Sequence, residues 1–220
     1  MRKTITGTGG MLLIQTLKDA GVDYLFTNPG SAETGIFAAL AEDQDQRLVI
    51  GKHEGLVAAM ADGYARTSGK VGVIIAHVMG GSYQLAGQLF NAQVAGTPLL
   101  VIAGDWASET QDYRGLAPFP GVSQAESMRP ITKEARAAYT VVSNPAAITV
   151  ATTRALREAM MPPTGPVYLS ISADLLNREG LESQVGEGAQ YRIEPPASAR
   201  PETIEAIARP RRPVTPGPRD

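Results

Sequence analysis

Short apolar runs alternate with segments of helical spacing along about the first 175 residues. The runs contain few polar residues, as expected for strands of a parallel sheet that is covered on both faces. The segments between them have the length and the apolar spacing of helices with one buried face. This alternation predicts right-handed βαβ units. We therefore expect an α/β fold, with a parallel sheet flanked by helices on both faces.

Six apolar runs are interpreted as strands, over residues 24–27, 48–50, 71–77, 99–103, 138–142 and 167–171. Five helices are predicted, one before the first strand over residues 8–20 and four between strands over residues 32–41, 54–68, 82–95 and 145–160. Gly21 is the expected stop of the first helix, and Ser31 is a suitable N-cap for the second, with Glu33 in its first turn. Residues 105–127 lack periodicity and are interpreted as a long loop, a kind of segment that is often functional.

The composition changes after Asn177, where polar residues and scattered Gly and Pro become frequent. Residues 178–200 are interpreted as a linker, and residues 201–208 as one short helix. We therefore divide the chain into a domain over residues 1–177 and a linker tail over residues 178–220.

Composition and charge exclude several classes of protein. The net charge of −2 gives no electrostatic reason to expect nucleic acid or an anionic membrane as a partner. The chain has no cysteine, which excludes disulfides, thiolate metal sites and a cysteine nucleophile. Residues 11–14 are apolar, but polar residues interrupt the run, so it predicts an amphipathic helix rather than a signal peptide. No run approaches the ~18 apolar residues of a membrane span, and we expect a cytoplasmic protein.

Other catalytic motifs do not match. Residues 7–10, Gly-Thr-Gly-Gly, lack the third glycine of a dinucleotide fingerprint, and no strand is predicted before them. His53-Glu54 does not begin a zinc-protease motif, since position 57 is Val. Neither a Walker A sequence nor a Gly-x-Ser-x-Gly elbow is present, and two histidines without cysteine make a zinc site improbable.

Glu54 is the most informative candidate, because it lies at the junction between the strand over residues 48–50 and an alanine-rich helix. Open α/β sheets place their chemistry at such junctions. The structural alternative is a glutamate that caps the helix, where the macrodipole favours negative charge.

The stretch around Glu54, Gly-Lys-His-Glu-Gly followed by Ala-Asp-Gly-Tyr-Ala-Arg at residues 61–66, resembles the glutamate motif of thiamine-diphosphate (ThDP) enzymes. It is similar to the N-terminal, pyrimidine-binding domain of the acetolactate synthase, pyruvate oxidase and benzoylformate decarboxylase group. Further motifs of this group follow in the same order, at residues 28–31 (Asn-Pro-Gly-Ser), 90–92, 97–104 and 165–171. The resemblance covers about residues 5–175.

The resemblance implies a role for three side chains. Glu54 would hydrogen-bond to N1′ of the cofactor's aminopyrimidine and activate it. His77 stands where acetolactate synthases carry Ser-Gly-Pro-Gly, and resembles the proton-shuttling histidine of benzoylformate decarboxylase. Ser31 would bind the substrate carboxylate. The alternatives are a histidine bound to backbone at a strand end and a serine that serves as a helix cap.

The resemblance also implies a set of cofactor-binding positions, namely Glu54, Pro29, Gly30, Gly80, Gly81, Gln84 and Asn91. Gly80 and Gly81 are expected to form an adaptable turn near the pyrimidine ring. Tyr83 and Phe90 are expected to face the cofactor or a second subunit. His53 is interpreted as structural, since successive residues of a strand point to opposite faces.

The other half of a ThDP site is not found in this sequence. The family binds the diphosphate and Mg²⁺ through a Gly-Asp-Gly motif in a separate domain, and Gly104-Asp105-Trp106 does not match it. Residues 211–220 resemble the opening of the family's central domain. The chain is therefore expected to be a truncated product, an excised domain or one subunit of a split enzyme.

As an enzyme domain, the chain would act on a 2-oxo acid, as part of a decarboxylase or carboligase of the benzoylformate decarboxylase type. Its expected partners are copies of itself in a homodimer or homotetramer, or a diphosphate-binding domain that holds the Mg²⁺. The alternatives are an acetolactate-synthase-like carboligase domain, or a non-catalytic subunit that keeps only the fold.

Overall fold

The computed structural model describes residues 2–43, 45–105, 124–133, 141–142, 148–186 and 201–208. The described strands are β1 (Arg2–Gly7), β2 (Tyr24–Thr27), β3 (Arg47–Ile50), β4 (Gly72–Ala76), β5 (Leu99–Asp105), β6 (Val141–Val142), β7 (Val167–Ser172) and β8 (Leu181–Gly186). The described α-helices are α1 (Gly9–Asp19), α2 (Thr34–Glu42), α3 (Glu54–Ser68), α4 (Val78–Ala95), α5 (Gln124–Met128), α6 (Ile148–Met160), α7 (Ala173–Asn177) and α8 (Pro201–Ala208).

Six of these strands form one parallel sheet in the order β3-β2-β4-β5-β7-β6. Strands β4 and β7, which have neighbours on both sides, are buried at every position, and this explains why they are apolar without alternation. One hydrophobic cluster packs α1, α2 and α6 against one face of the sheet, and a second packs α3 and α4 against the other. The predicted α/β fold with helices on both faces is confirmed.

The strand register brings several loops to one edge of the sheet. Thr27 at the end of β2 lies beside Ile50 of β3 and Ile75 of β4, and Ala76 lies beside Ala103 of β5. Because all six strands are parallel, the residues that follow them gather at this carboxyl edge. Asn28, Gly51 and His77 therefore start from neighbouring positions.

Helix α3 is held by its ends and by small residues. His53 is its N-cap and accepts a hydrogen bond from the Gly55 N–H at 3.0 Å. Gly69 ends the helix at φ 71°, a left-handed conformation that favours glycine. Buried alanines let the helix approach the sheet closely, and a Cβ added to Gly72 would lie 2.5 Å from the Ala61 carbonyl oxygen. The predicted helix over residues 54–68 is confirmed, and the structural role of His53 is to cap it.

Two expectations about the polar ends of the domain are wrong. A strand does precede residues 7–10, because β1 ends at Gly7. The linker interpretation fails for residues 181–186, which form β8 and pair antiparallel with β1. In β8 Val185 is buried while Glu182 and Gln184 are exposed, so the strand shows the alternation of a half-exposed strand. The division of the chain at residues 177 and 178 stays a prediction.

The loops also differ from expectation. Helix α4 begins at Val78 rather than Ser82, so Gly80 and Gly81 belong to its first turn. Residues 31–33 form a 3₁₀ turn with Gly30 at the N-cap position, and α2 begins only at Thr34, so Ser31 is not an N-cap. Part of the predicted loop over residues 105–127 is wrong, because β5 extends to Asp105 and α5 begins at Gln124.

Several predicted segments lie outside the described residues, namely 106–123, 138–140, 145–147, 187–200 and 209–220. The predicted helix over residues 201–208 is confirmed as α8. Among the described helices, none combines the length and the apolar character that crossing a membrane requires.

Candidate functional site

Glu54 lies at the carboxyl edge of the sheet as the first residue of α3, and its side chain is half-buried. Its Oε1 atom accepts a hydrogen bond from Nδ2 of Asn28, the residue that follows β2, at 3.1 Å. The cap of α3 is His53, so the interpretation of Glu54 as the helix cap is wrong. Its carboxyl is instead held across the strand ends, at the positive end of the α3 dipole.

His77 follows β4 and lies beside a second carboxyl. Its Nδ1 atom is 3.0 Å from Oε2 of Glu33, which comes from the 3₁₀ turn after β2. The Glu33 side chain is 1% exposed, whereas that of His77 is 31% exposed. The partner of this imidazole nitrogen is therefore a buried acid and not the backbone. The next residue, Val78, has φ 36°, an unusual conformation for a β-branched residue.

Glycines lie in close contact with these side chains. A Cβ on Gly30 would lie 2.1 Å from Nδ1 of His77, and one on Gly104 would lie 2.0 Å from Oε1 of Glu33. A Cβ on Gly81 would lie 3.2 Å from Oε1 of Glu54 and 3.5 Å from Cβ of His77. The glycines therefore let two pairs, Asn28 with Glu54 and Glu33 with His77, share one small region.

Burial raises the pKa of Glu33, while the neighbouring His77 and the backbone N–H of Val78 act in the opposite direction. The Oε1 atom of Glu33 is buried and has no hydrogen-bond partner among the described residues. An ionised carboxyl with one unpaired buried oxygen is costly. The contact with His77 therefore offsets part of the cost of burying the Glu33 carboxyl.

Three other predicted site residues, Pro29, Ser31 and Gly80, lie at the surface near these two pairs. Pro29 and Ser31 flank Gly30 and are exposed, and Gly80 is exposed in the first turn of α4. The structure thus brings Glu54, His77, Gly30 and Gly81 together, with Ser31 and Pro29 at the rim. The ligand-binding roles of these residues stay predictions.

Gln84 and Asn91 lie further along α4, on its exposed side. The backbone of Gln84 is near α3, since a Cβ on Gly55 would lie 3.6 Å from the Gln84 carbonyl oxygen. Asn91 donates from Nδ2 to Oε1 of Gln88 at 3.2 Å and lies two turns, about 10 Å, beyond Gln84. Gln84 therefore lies beside the start of α3, whereas Asn91 lies further along α4.

Sequence reasoning missed Asn28 and Glu33. Asn28 had a usable signal, because it directly follows a predicted strand whose end meets the Glu54 junction. Glu33 had none, since an acidic residue in the first turn of a helix is ordinary. Only its burial, at 0% exposure, distinguishes it. No group of three or more His, Asp or Glu side chains within the described part of the chain is placed to hold a metal ion.

Comparisons with known proteins identify the family. The family model of the thiamine pyrophosphate enzyme, N-terminal TPP binding domain, matches residues 7–128. Benzoylformate decarboxylase of Pseudomonas aeruginosa is 32% identical over 161 residues, covering 73% of this chain and 29% of that protein. Acetolactate synthase of Bacillus subtilis is 27% identical over 176 residues, covering 80% of this chain and 30% of that protein.

A solved structure is also similar. The thiamine diphosphate-dependent 4-hydroxybenzoylformate decarboxylase of Rhodococcus jostii RHA1 matches with a TM-score of 0.77 and 27% identity, covering 91% of this chain and 36% of that one. The chain thus spans about 30% of the length of the two curated relatives. The family match extends over more than half of the chain, from β1 to α5. The chain therefore belongs to the thiamine pyrophosphate enzymes, as an N-terminal TPP binding domain.

Proposed function

We propose that this chain is the cofactor-activating domain of a ThDP-dependent enzyme that decarboxylates a 2-oxo acid, of the benzoylformate decarboxylase type. The observation that carries the proposal is the Glu54 carboxyl, held by Asn28 at the carboxyl edge of the sheet. The proposal covers the activity of a complete enzyme, to which this chain contributes one domain.

The residues present fit the aminopyrimidine part of the cofactor. Asn28 occupies one oxygen of Glu54, and the carboxyl remains partly accessible. Gly81 adds no side chain beside the carboxyl, where a Cβ would lie 3.2 Å from Oε1. We infer that Glu54 hydrogen-bonds to N1′ and exchanges a proton there. When bound, ThDP supplies the electron sink that lets a 2-oxo acid lose carbon dioxide.

His77 and Ser31 would act on the substrate. With Nδ1 engaged by Glu33, His77 has Nε2 left to exchange a proton with the substrate carbonyl oxygen. The exposed hydroxyl of Ser31 lies next to Gly30, which packs on the His77 ring. It would donate to the substrate carboxylate and orient it.

His77 favours a decarboxylase over an acetolactate-synthase-like carboligase. A proton-transferring group at the end of β4 suits release of a protonated product, and acetolactate synthases resemble one another in carrying Ser-Gly-Pro-Gly at this place. The similarity to acetolactate synthase of Bacillus subtilis keeps the carboligase as the second candidate.

The exposed face of α3 and α4 supports assembly with a further domain. Four large apolar side chains are exposed over half or more of their surface, namely Leu56 on α3 and Tyr83, Phe90 and Val94 on α4. The two helices pack against each other, and α3 begins with Glu54. We infer that a diphosphate-binding domain, which would hold Mg²⁺ and complete the site, covers this face within a homodimer or homotetramer. The location of such an enzyme would be the cytoplasm.

The test is an assay of the complete enzyme with benzoylformate and with pyruvate. We expect carbon dioxide release from benzoylformate, slowed by about 10²–10⁴-fold in His77→Ala with little change in cofactor affinity. The matched control is His53→Asn, which keeps a good N-cap and should keep turnover. Acetolactate formation from pyruvate alone would establish the second candidate. Absence of both reactions would leave a non-catalytic subunit.

A further inference from the structure

Glu33 is a buried acid for which the proposed reaction has no direct use. The 3₁₀ turn over residues 31–33 carries it beneath His77, and its side chain is 1% exposed. It cannot touch a substrate from there. It contacts the imidazole that does face the site, at 3.0 Å between Oε2 and Nδ1.

Two glycines pack closely around Glu33 and His77 and hold the two side chains in one arrangement. Gly30 covers the Nδ1 side of the His77 ring, since a Cβ there would lie 2.1 Å from Nδ1, 2.2 Å from Cγ and 2.7 Å from Cβ. Gly104 closes the other side of Glu33, with a would-be Cβ 2.0 Å from Oε1. The accessible part of the His77 side chain therefore lies on the opposite edge of the ring, which carries Nε2.

We propose that Glu33 is the positioning residue of His77: its carboxylate accepts the Nδ1–H and so keeps Nε2 as the nitrogen that accepts and returns protons. The inference rests on the proposed function for the direction of catalysis, because His77 acts on a substrate only there. The arrangement of the pair itself depends on the geometry of this chain alone.

The energetics favour a functional reason for the pair. Burial of a carboxyl raises its pKa and costs free energy, and apolar residues of similar volume are often as stable as a buried ion pair. The turn beside the pair adds strain, with Val78 at φ 36°. Two unfavourable features at one strand end are typical of sites where geometry matters more than stability.

The second histidine provides an internal standard. Nδ1 of His53 accepts a hydrogen bond from the Gly55 N–H at 3.0 Å, so a neutral His53 must carry its proton on Nε2. Nδ1 of His77 should instead carry the proton. The two histidines of the chain are therefore expected to adopt opposite tautomers, which nitrogen chemical shifts distinguish.

The experiment is a long-range ¹H–¹⁵N correlation on the 220-residue chain labelled at histidine, at a pH where the rings are neutral. We expect the Nδ1–H tautomer at His77 and the Nε2–H tautomer at His53. In Glu33→Gln the amide can donate to Nδ1 as well as accept from it, so the Nδ1–H preference of His77 should be lost while His53 stays unchanged. An Nε2–H tautomer at His77 in the parent, or no change in Glu33→Gln, overturns the proposal.

The tautomer measurement does not depend on turnover. It therefore tests the positioning of His77 by Glu33 separately from the proposed decarboxylase function. The expected tautomers in a chain whose complete enzyme turns over no 2-oxo acid would keep the positioning of His77 and reject the proposed function. If Glu33→Gln does not fold, the parent spectrum alone still decides which nitrogen carries the proton. In the complete enzyme, loss of positioning should lower kcat and alter the pH profile while leaving the affinity for cofactor unchanged.

Discussion

Asn28 and Glu54 begin from the ends of different strands, and the amide of the first holds the carboxyl of the second at 3.1 Å. The contact fixes one oxygen of a half-buried carboxyl and orients the other without neutralising it. An amide suits this task because it donates a hydrogen bond but carries no charge. The side chain that we assign to cofactor activation is thus preorganised before any ligand arrives.

Glu54→Gln should therefore abolish activation while keeping the fold. The amide keeps the size of the carboxyl and can still accept from Asn28, but it cannot take up and return a proton at N1′. In the complete enzyme, hydrogen–deuterium exchange at C2 of bound ThDP should fall sharply. The free energy of unfolding should change by only ~0.3–1 kcal/mol, since the helix loses mainly a dipole interaction.

Glu182→Gln, at an exposed position of β8, is the matched control and should leave both quantities unchanged. A Glu54→Gln protein that exchanges C2–H at the parent rate would remove Glu54 from the chemistry. A protein that fails to fold would instead assign the residue to the structure of the strand–helix junction.

Gly30→Ala should disturb the site by displacing the His77 ring. Its Cβ would lie 2.1 Å from Nδ1 of His77, so the ring must move, and overpacking of this kind costs about 1–3 kcal/mol. The measurement is urea unfolding, together with the ¹⁵N shifts of His77.

Gly80→Ala is the control for that change. Gly80 lies in the first turn of α4, and nothing lies within 4 Å of a Cβ built there. Alanine should stabilise the helix by up to about 1 kcal/mol and leave the His77 shifts in place. Equal stability of the two variants would show that the turn around Gly30 adapts, and that His77 is not held tightly.

The sequence predicts most of the sheet because burial on both faces leaves a direct mark, and a strand such as β7, buried throughout, must be apolar. Glu54 could be predicted for a different reason: it stands between a short apolar run and an alanine-rich helix, although that run forms the mostly exposed edge strand β3. Strand β8 was missed because only Val185 in it is buried, and its polar residues are also typical of a linker.

The pairings within the site could not be predicted for a different reason. Glu33 and His77 are 44 positions apart in the chain, and nothing local distinguishes a buried acid in a turn from an exposed one at a helix start. Their contact results from the sheet register and from the close approach that Gly30 and Gly104 allow. Such a contact is a property of the tertiary structure.

Phe90→Asp should prevent assembly without unfolding the domain. Phe90 is 56% exposed on the face of α4 that we assign to a further domain, so a charge there costs the isolated chain little but is buried in the assembly. Light scattering after size exclusion should show a smaller complex. The control, Val150→Asp, places the same charge on α6 at a residue that is 67% exposed, and should assemble normally.

Glu33→Gln should change how stability depends on pH. Burial raises the pKa of Glu33 in the folded state, whereas in the unfolded chain the pKa of a glutamate is about 4.3. Between these two values the folded state binds a proton that the unfolded state releases. Protonated Glu33 therefore contributes its full stabilisation below the pKa of the unfolded state. This contribution is lost as the pH rises through the pKa of the folded state. Glutamine does not titrate and has no such dependence.

The measurement is the free energy of unfolding in urea for parent and Glu33→Gln between about pH 5 and 8, the range in which most proteins remain folded. The stability of the parent relative to the variant should rise as the pH falls, by about 1.4 kcal/mol for each unit by which the pKa is raised. The amide of Glu33→Gln can also change the free energy of unfolding by a constant amount. A constant amount does not depend on pH, so it does not affect how the difference between the two proteins changes with pH. Parallel curves for the two proteins would mean that Glu33 titrates alike in both states, and that the cost of its burial is fully offset by His77 and Val78.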